Sequence, residues 1–277
     1  MEGIDALVPV EMAKKAEDVG VKKASLDAGR TFALGVLAGS FIALGAAFMT
    51  TVTAGASGSS WPPGVVRLCG GTVFSLGLLL VVVGGAELFT GNNLLTMAWA
   101  SRRISTLALA RNWTLVFAGN IAGAFGMVAM IALSGQVKLL GGAVGAQAIA
   151  IAKAKMHESF VEAFVLGVLC NVLVCLAVWM SFSARTTVDR LVAVVPPVAA
   201  FVTMGFEHNV ANLYLLPVAW FAAQDPLVLK AAQLEAMPEW LTLGGMAMNL
   251  LPVTLGNMVG GGLLVGATYW TIYLRRS

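Results

Sequence analysis

Between Arg30 and Arg67 the chain carries no charged side chain, and five more long tracts that are uncharged or nearly so follow it. A helix needs about 20 apolar residues to cross a bilayer core some 30 Å thick. Thr31 to Val52 meets that length before the Gly-, Ser- and Pro-rich stretch Ala54 to Gly64 turns the chain. Asn112 to Val137 and Ala163 to Ala184 are spans of the same kind. Leu68 to Ala100, with Glu87 inside it, and Leu191 to Gln224, with Glu207 and His208 in its middle, are too long for one straight helix. Both must be interrupted. Leu241 to Leu274 holds Pro252 and a Gly256-Asn257 step, which predicts a short leading segment before a sixth span. The fold class is therefore all-α integral membrane with six transmembrane helices. Only 11% of side chains are charged, where a soluble chain carries about 25%, so a soluble enzyme and a disordered tail are excluded. A net charge of +3 is too small and too scattered for a nucleic-acid partner. Cys69, Cys170 and Cys175 lie in apolar runs and read as small buried hydrophobes rather than a disulfide framework.

Orientation follows from the basic residues, which favour the cytoplasmic side. With the amino terminus inside, only Arg67, Lys138, Lys153, Lys155 and Lys230 of the seventeen Lys and Arg fall outside. Six spans then return the carboxyl terminus to the cytoplasm. Residues 1–30 form a separate amphipathic amino-terminal segment: Val8, Met12, Ala16 and Val19 recur at helical spacing among charges, as in a helix lying on the inner face. Nothing in it has the pattern of a cleavable signal peptide. Residues 31–277 form the six-span domain.

The two halves of that domain echo each other. Phe32 to Leu37 in span one matches Phe164 to Leu169 in span four, with Gly35 set against Gly167. Ala118-Gly119-Asn120-Ile121-Ala122-Gly123 in span three matches Leu255-Gly256-Asn257-Met258-Val259-Gly260 in span six, and the interrupted spans two and five take the same place in each half. Three spans per half is an odd number, so the halves lie inverted. An inverted 3+3 repeat with one broken helix in each half points to a solute path at the midplane.

Ionisable groups at the centre of a span are costly and mark function. Glu87 sits in Gly84-Gly85-Ala86-Glu87-Leu88-Phe89-Thr90-Gly91-Asn92-Asn93, whose polar groups can satisfy a broken helix ladder, and Glu207 with His208 in the matching Gly205-Phe206-Glu207-His208-Asn209-Val210-Ala211-Asn212. The two glutamates suit a structural role, bonding backbone amides freed at the breaks or amides such as Asn171. His208 is the one span side chain that titrates near neutral pH, and it suits contact with a small anion.

Gly84 to Thr90, Asn171 to Ser181, Gly205 to Asn212, and Pro252-Val253-Thr254-Leu255-Gly256-Asn257 together resemble the formate/nitrite transporter family, in the right order and over nearly the whole chain. The formate channels are the nearest in pattern. The resemblance implies an aquaporin-like arrangement of the six helices, a homopentamer with one pore per protomer, and a bacterial inner membrane. It implies no cofactor, no metal and no enzymatic activity. It also implies a central histidine at His208, the loop threonine that bonds it at Thr90, and a nearby asparagine at Asn257. Apolar constrictions fall at Leu78, Leu88 and Phe89 on the cytoplasmic side and at Phe74 and Phe201 on the outer side. An outer-vestibule lysine falls at Lys155. The solute would be a small monocarboxylate or inorganic anion, drawn in by Lys155 and passing the dry constriction as its neutral acid, with His208 or vestibule water supplying the proton.

Two positions depart from the formate-channel pattern: Asn209 stands where serine is frequent, and Glu87 where aspartate is. Gly91 resembles the nitrite members, so nitrite and hydrosulfide are the alternative solutes. An intramembrane acid–base enzyme built on Glu207 and His208 finds no HExxH and no neighbouring nucleophile in the sequence.

Overall fold

The computed structural model describes residues 6–56 and 60–275. The turn residues at 57–59 and Arg276, which the sequence reading used, lie outside them. Twelve α-helices follow in order: α1 (Pro9–Ala24), α2 (Ala28–Thr53), α3 (Pro63–Gly84), α4 (Thr96–Ala100), α5 (Thr106–Ser134), α6 (Ala143–Met156), α7 (Phe160–Ser183), α8 (Thr187–Thr203), α9 (Asn209–Ala222), α10 (Pro226–Ala231), α11 (Leu243–Met258) and α12 (Thr268–Tyr273). Among the described residues there is no strand. Polar caps set several helix starts. The Asp27 carboxylate accepts from Arg30 N, the Ser105 hydroxyl from Ala108 N, and Ser159 and Glu162 close a reciprocal capping box at α7.

Among the described residues six helical stretches are long and apolar enough to cross a membrane: Ala28–Thr53, Pro63–Gly84, Thr106–Ser134, Gln136–Met156, Phe160–Ser183 and Leu243–Tyr273. The chain is a multi-pass membrane protein. This set differs from the sequence reading in one member. Gln136–Met156, expected as an external connection, is a 3₁₀ turn kinked at Leu139–Gly141 and then a helix. The expected fifth span is instead divided between α8 and α9, with residues 206–208 outside any helix. The second long tract ends its helix at Gly84 and resumes as a 3₁₀ turn at Gly91–Leu95 and then α4. Gly85 (φ 78°) and Gly205 (φ 74°) both adopt the left-handed conformation just past the helix ends, where a Cβ would be strained.

The surface is inverted relative to a water-soluble protein. Phe48, Phe125, Met130, Leu133, Leu251 and Leu263 are exposed, whereas Glu87, Asn92, Asn93, Asn120, Asn171, Glu207 and Asn257 are buried. Lipid tails on the outside and a polar, hydrogen-bonded interior satisfy both groups.

Glycines bring two helix pairs to backbone contact. A Cβ on Gly39 or Gly123 would overlap the Asn120 or Val36 carbonyl between α2 and α5, and one on Gly256 of α11, or on Gly260 just past its end, would overlap the Phe164 or Val168 carbonyl of α7. Such small-residue seams let backbones approach where apolar burial gives little drive.

Two expectations are corrected. No short leading segment separates at Pro252: the helix runs from Leu243 through it and continues as a π-wound stretch, Val259–Ala267, into α12. Pro252 is buried within the bundle, where neighbours can make good the lost backbone bond. Cys69 is exposed, unlike Cys170 and Cys175, because its face of α3 points outward. Ahead of helix α1 Val8 is exposed, and Met12, Ala13 and Ala16 of the helix pack on Leu94, Met97 and Trp179 of the bundle. Ion pairs from Arg103 to Glu17 and Asp18 secure it there.

Candidate functional site

Two helix breaks face each other in the interior, and the same set of bonds holds each one open. At the first, Asn120 of α5 donates from Nδ2 to Gly35 O (2.8 Å) and Glu87 O (2.9 Å), and its Oδ1 accepts from Phe89 N (2.9 Å). At the second, Asn257 of α11 donates to Gly167 O (2.7 Å) and Glu207 O (2.9 Å), and accepts from Asn209 N (3.0 Å). Each buried amide thus replaces helix bonds that the break removes.

The carboxylates are held by a second matched set. Glu87 pairs with Lys23 of α1 (3.1 Å) and accepts from Asn92 Nδ2 (2.6 Å), which also donates to Asn112 Oδ1 (2.9 Å). Glu207 pairs with Lys155 of α6 and accepts from Asn212 Nδ2 (2.6 Å), which also donates to Asn249 Oδ1 (2.8 Å). Asn112 and Asn249 close the two circuits on the Lys23 and Lys155 carbonyls. Asn171 is not a partner of either glutamate. Its Nδ2 donates to Thr90 O, Asn93 Oδ1 and Asn257 O, tying the two breaks together.

The breaks differ in the side chains they leave over. The ring of His208 bonds on both sides: Nδ1 accepts from Ala211 N (3.0 Å), and Nε2 lies 3.0 Å from Thr90 Oγ1. An acceptor at Nδ1 places the proton of the neutral ring on Nε2. Nε2–H therefore donates to Thr90 Oγ1, and the Thr90 hydroxyl hydrogen has no acceptor among the described residues. His208 also stacks on Phe201 (centroids 6.0 Å apart), which meets Phe74 edge-on at 5.9 Å.

Two cavities approach this layer from opposite ends. The one on the α6 side, about 490 Å³, is lined by Phe74, Phe201, His208, Lys155 and Glu207, and also by Arg67 and Glu158. The one on the α1 side, about 270 Å³, is lined by Leu78, Leu88, Val81, Glu87 and Lys23. Phe74 and Leu78 are one turn apart on α3, so the two cavities end on neighbouring side chains. Thr90 is fully buried and lines neither cavity. Phe89 also lines neither: its ring packs against Trp113 and Phe117 of α5. Asn257 lies beside the histidine loop with every amide group engaged in backbone bonds.

The formate/nitrite transporter family profile fits residues 10–271. The chain belongs to the formate/nitrite transporter family. Formate channel FocA of Escherichia coli K12 is 43% identical over 277 residues, 99% of this chain and 96% of that protein. FocA of Haemophilus influenzae is 39% identical over 94% of this chain and 93% of its own length. Among solved structures, a pentameric formate channel with formate bound matches with a TM-score of 0.83 at 43% identity, covering 90% of this chain and 98% of that one. An FNT family ion channel matches at 0.81 and 28% identity, covering 95% and 98%. The family is one of transporters and channels, not enzymes.

Sequence reasoning missed the roles of Lys23, Asn112 and Asn249 and the cavity residues Arg67 and Glu158, whereas Asn92 and Asn212 lie in the two matched break motifs. One signal was available. Lys23 and Lys155 are separated by the same interval as Gly35 and Gly167, so the repeat that aligned the glycines also aligns the lysines.

Proposed function

We propose that this protein is a formate channel, assembled as a homopentamer in a bacterial inner membrane, with one pore through each protomer. The matched bonds at Asn120 and Asn257, and at Glu87 and Glu207, support an inverted 3+3 repeat whose broken spans are α3 with α4 and α8 with α9, in an aquaporin-like arrangement. The kinked segment Gln136–Met156 then lies on the outer face, where it carries Lys155. Both termini are cytoplasmic, and the α6-side cavity is the outer vestibule.

The observation that carries the reading is the buried pair His208–Thr90, placed where two cavities meet a layer of Phe74, Phe201, Leu78 and Leu88. An anion crosses such a layer only at great cost, whereas the neutral acid of the same size crosses readily. Lys155 beside Glu207, and Arg67 above them, receive the anion. The proton comes from vestibule water rather than from the ring. The only ring position able to take a second proton is Nδ1, and Ala211 N–H already points at it. His208 therefore acts as an orienting donor: it fixes the Thr90 oxygen, so that the Thr90 O–H is aimed at a solute oxygen while the solute is stripped of water. Asn257 holds the loop and makes no contact with the solute. Phe89 anchors the other loop on α5, and Leu78 with Leu88 forms the inner constriction.

The test is initial flux of formate, nitrite and hydrosulfide into proteoliposomes over a range of external pH. Formate is expected to lead, with flux rising as pH falls. A tenfold lead for nitrite or hydrosulfide would overturn the choice of solute.

A further inference from the structure

Glu158 lies in the short connection between α6 and α7, just before the Ser159 cap, and takes no part in the circuits that hold the two breaks. Its Oε2 is buried with no hydrogen-bond partner, and the residue lines the α6-side cavity together with Arg67, Lys155, Glu207 and His208. The charges around it can be balanced by inspection. The Lys155 ammonium is committed to Glu207, which leaves that pair neutral. Arg67, from α3, makes no ion pair among the described residues. The sign of the vestibule therefore turns on Glu158: positive when its carboxyl is neutral, balanced when it is ionised.

We propose that Glu158 is a proton-controlled filter at the mouth of the outer vestibule. In the neutral form its buried oxygen donates a hydrogen bond to an incoming small oxyanion, beside the attraction of Arg67. In the ionised form it repels that anion and cancels the attraction. This rests on the reading of the chain as an anion channel, and it assigns a selectivity role to a residue outside the constriction.

The groups facing Glu158 are Lys155 from α6, Glu207 from the α8–α9 break, Glu162 from α7, and Arg67 and His208 across the cavity. His157, its chain neighbour, lines a second, outer cavity together with Glu158 and Glu162, with Nδ1 bonded to Lys153 O and its ring against Trp240. Burial first, then the negative charge of Glu207, pushes the Glu158 carboxyl up to about 8, with Lys155 pulling down and Glu162 adding to the rise. The filter is thus neutral and receptive below about pH 8 and repulsive above it. Titration of the solute itself is different in kind, since its neutral fraction falls about tenfold with each pH unit and has no step near 8.

The experiment compares formate uptake by the wild-type protein and Glu158→Gln in proteoliposomes, with external pH varied from about 6 to about 9 at fixed internal pH. Glutamine keeps the shape and cannot ionise. The ratio of variant to wild-type uptake is expected to be near one at the acid end and to rise to about threefold or more at the alkaline end, as one unit charge removed from a wet cavity implies. A ratio that stays flat while both proteins carry formate overturns the filter. Absence of formate uptake by the wild type at every pH overturns the channel reading instead. A second measurement needs no variant: uptake by the wild type is expected to fall with added salt at about pH 6, where the vestibule is positive, and to be insensitive to salt at about pH 9. Equal salt sensitivity at both ends refutes the proposal even if Glu158→Gln fails to assemble.

Discussion

Replacing Thr90 by valine preserves the size and branching of the side chain and removes one oxygen, so it isolates what the hydroxyl does. The oxygen accepts from His208 Nε2 at 3.0 Å and lies in a fully buried position. In Thr90→Val the Nε2–H loses its acceptor, and a passing solute loses the O–H that would replace one of its water contacts. A buried group left without its bond costs about 1–3 kcal/mol. Applied to a solute at the top of its barrier, one missing bond of that size slows flux by roughly 5- to 150-fold. Thr90→Ser keeps the oxygen and is expected to stay within about threefold of wild type, because serine can still accept from Nε2 and donate onward. The assay is the initial rate of formate efflux from proteoliposomes. Size-exclusion chromatography of each variant separates loss of transport from loss of assembly. A wild-type rate for correctly assembled Thr90→Val would refute the role of the His208-oriented Thr90 hydroxyl. Equal losses for valine and serine would show that shape rather than the hydroxyl matters.

Two further outcomes concern the framework. Lys155→Met leaves the Glu207 carboxylate buried without its cation and is expected to lower stability by about 3–5 kcal/mol, seen as a fall in the thermal midpoint. The double change Lys155→Met with Glu207→Gln removes both charges and is expected to recover most of that loss; no recovery would mean that the pair is not the source. Gly39→Ala drives a methyl into the Asn120 carbonyl at the α2–α5 seam and is expected to cost about 1–3 kcal/mol as the helices separate. Gly126→Ala, with open space around it, is expected to leave the midpoint unchanged. Equal midpoints for Gly39→Ala and Gly126→Ala would contradict the tight seam.

Much of the architecture was legible because the bilayer enforces local rules. A tract of some 20 residues without charge must span, and a tract too long to span straight must break. The interruptions around Glu87 and Glu207 followed from length and from residues that lipid does not tolerate. The repeated short words set Gly35 against Gly167 and Asn120 against Asn257, and in the structure Asn120 bonds to Gly35 O as Asn257 bonds to Gly167 O. Helix α1 followed from its periodicity, but the burial of Met12 and Ala16 against the bundle did not, because periodicity shows a face and not what covers it. For the same reason Gln136–Met156 looked like a connection: its lysines mask an apolar surface that packs against α9.

The residues alone place this chain in a membrane, mark its apolar tracts and set His208 in the middle of one of them. Those follow from costs each segment meets alone: desolvated charge and unbonded backbone. Which polar groups meet is set by the packing of the helices. Lys23 reaches Glu87 from α1, Lys155 reaches Glu207 from α6, and Thr90, after α3, meets His208, before α9. The ring of Phe89 packs edge-on against Trp113. Each buried donor must find an acceptor wherever the packing brings one, and that choice depends on how the helices cross, which no local pattern of residues records.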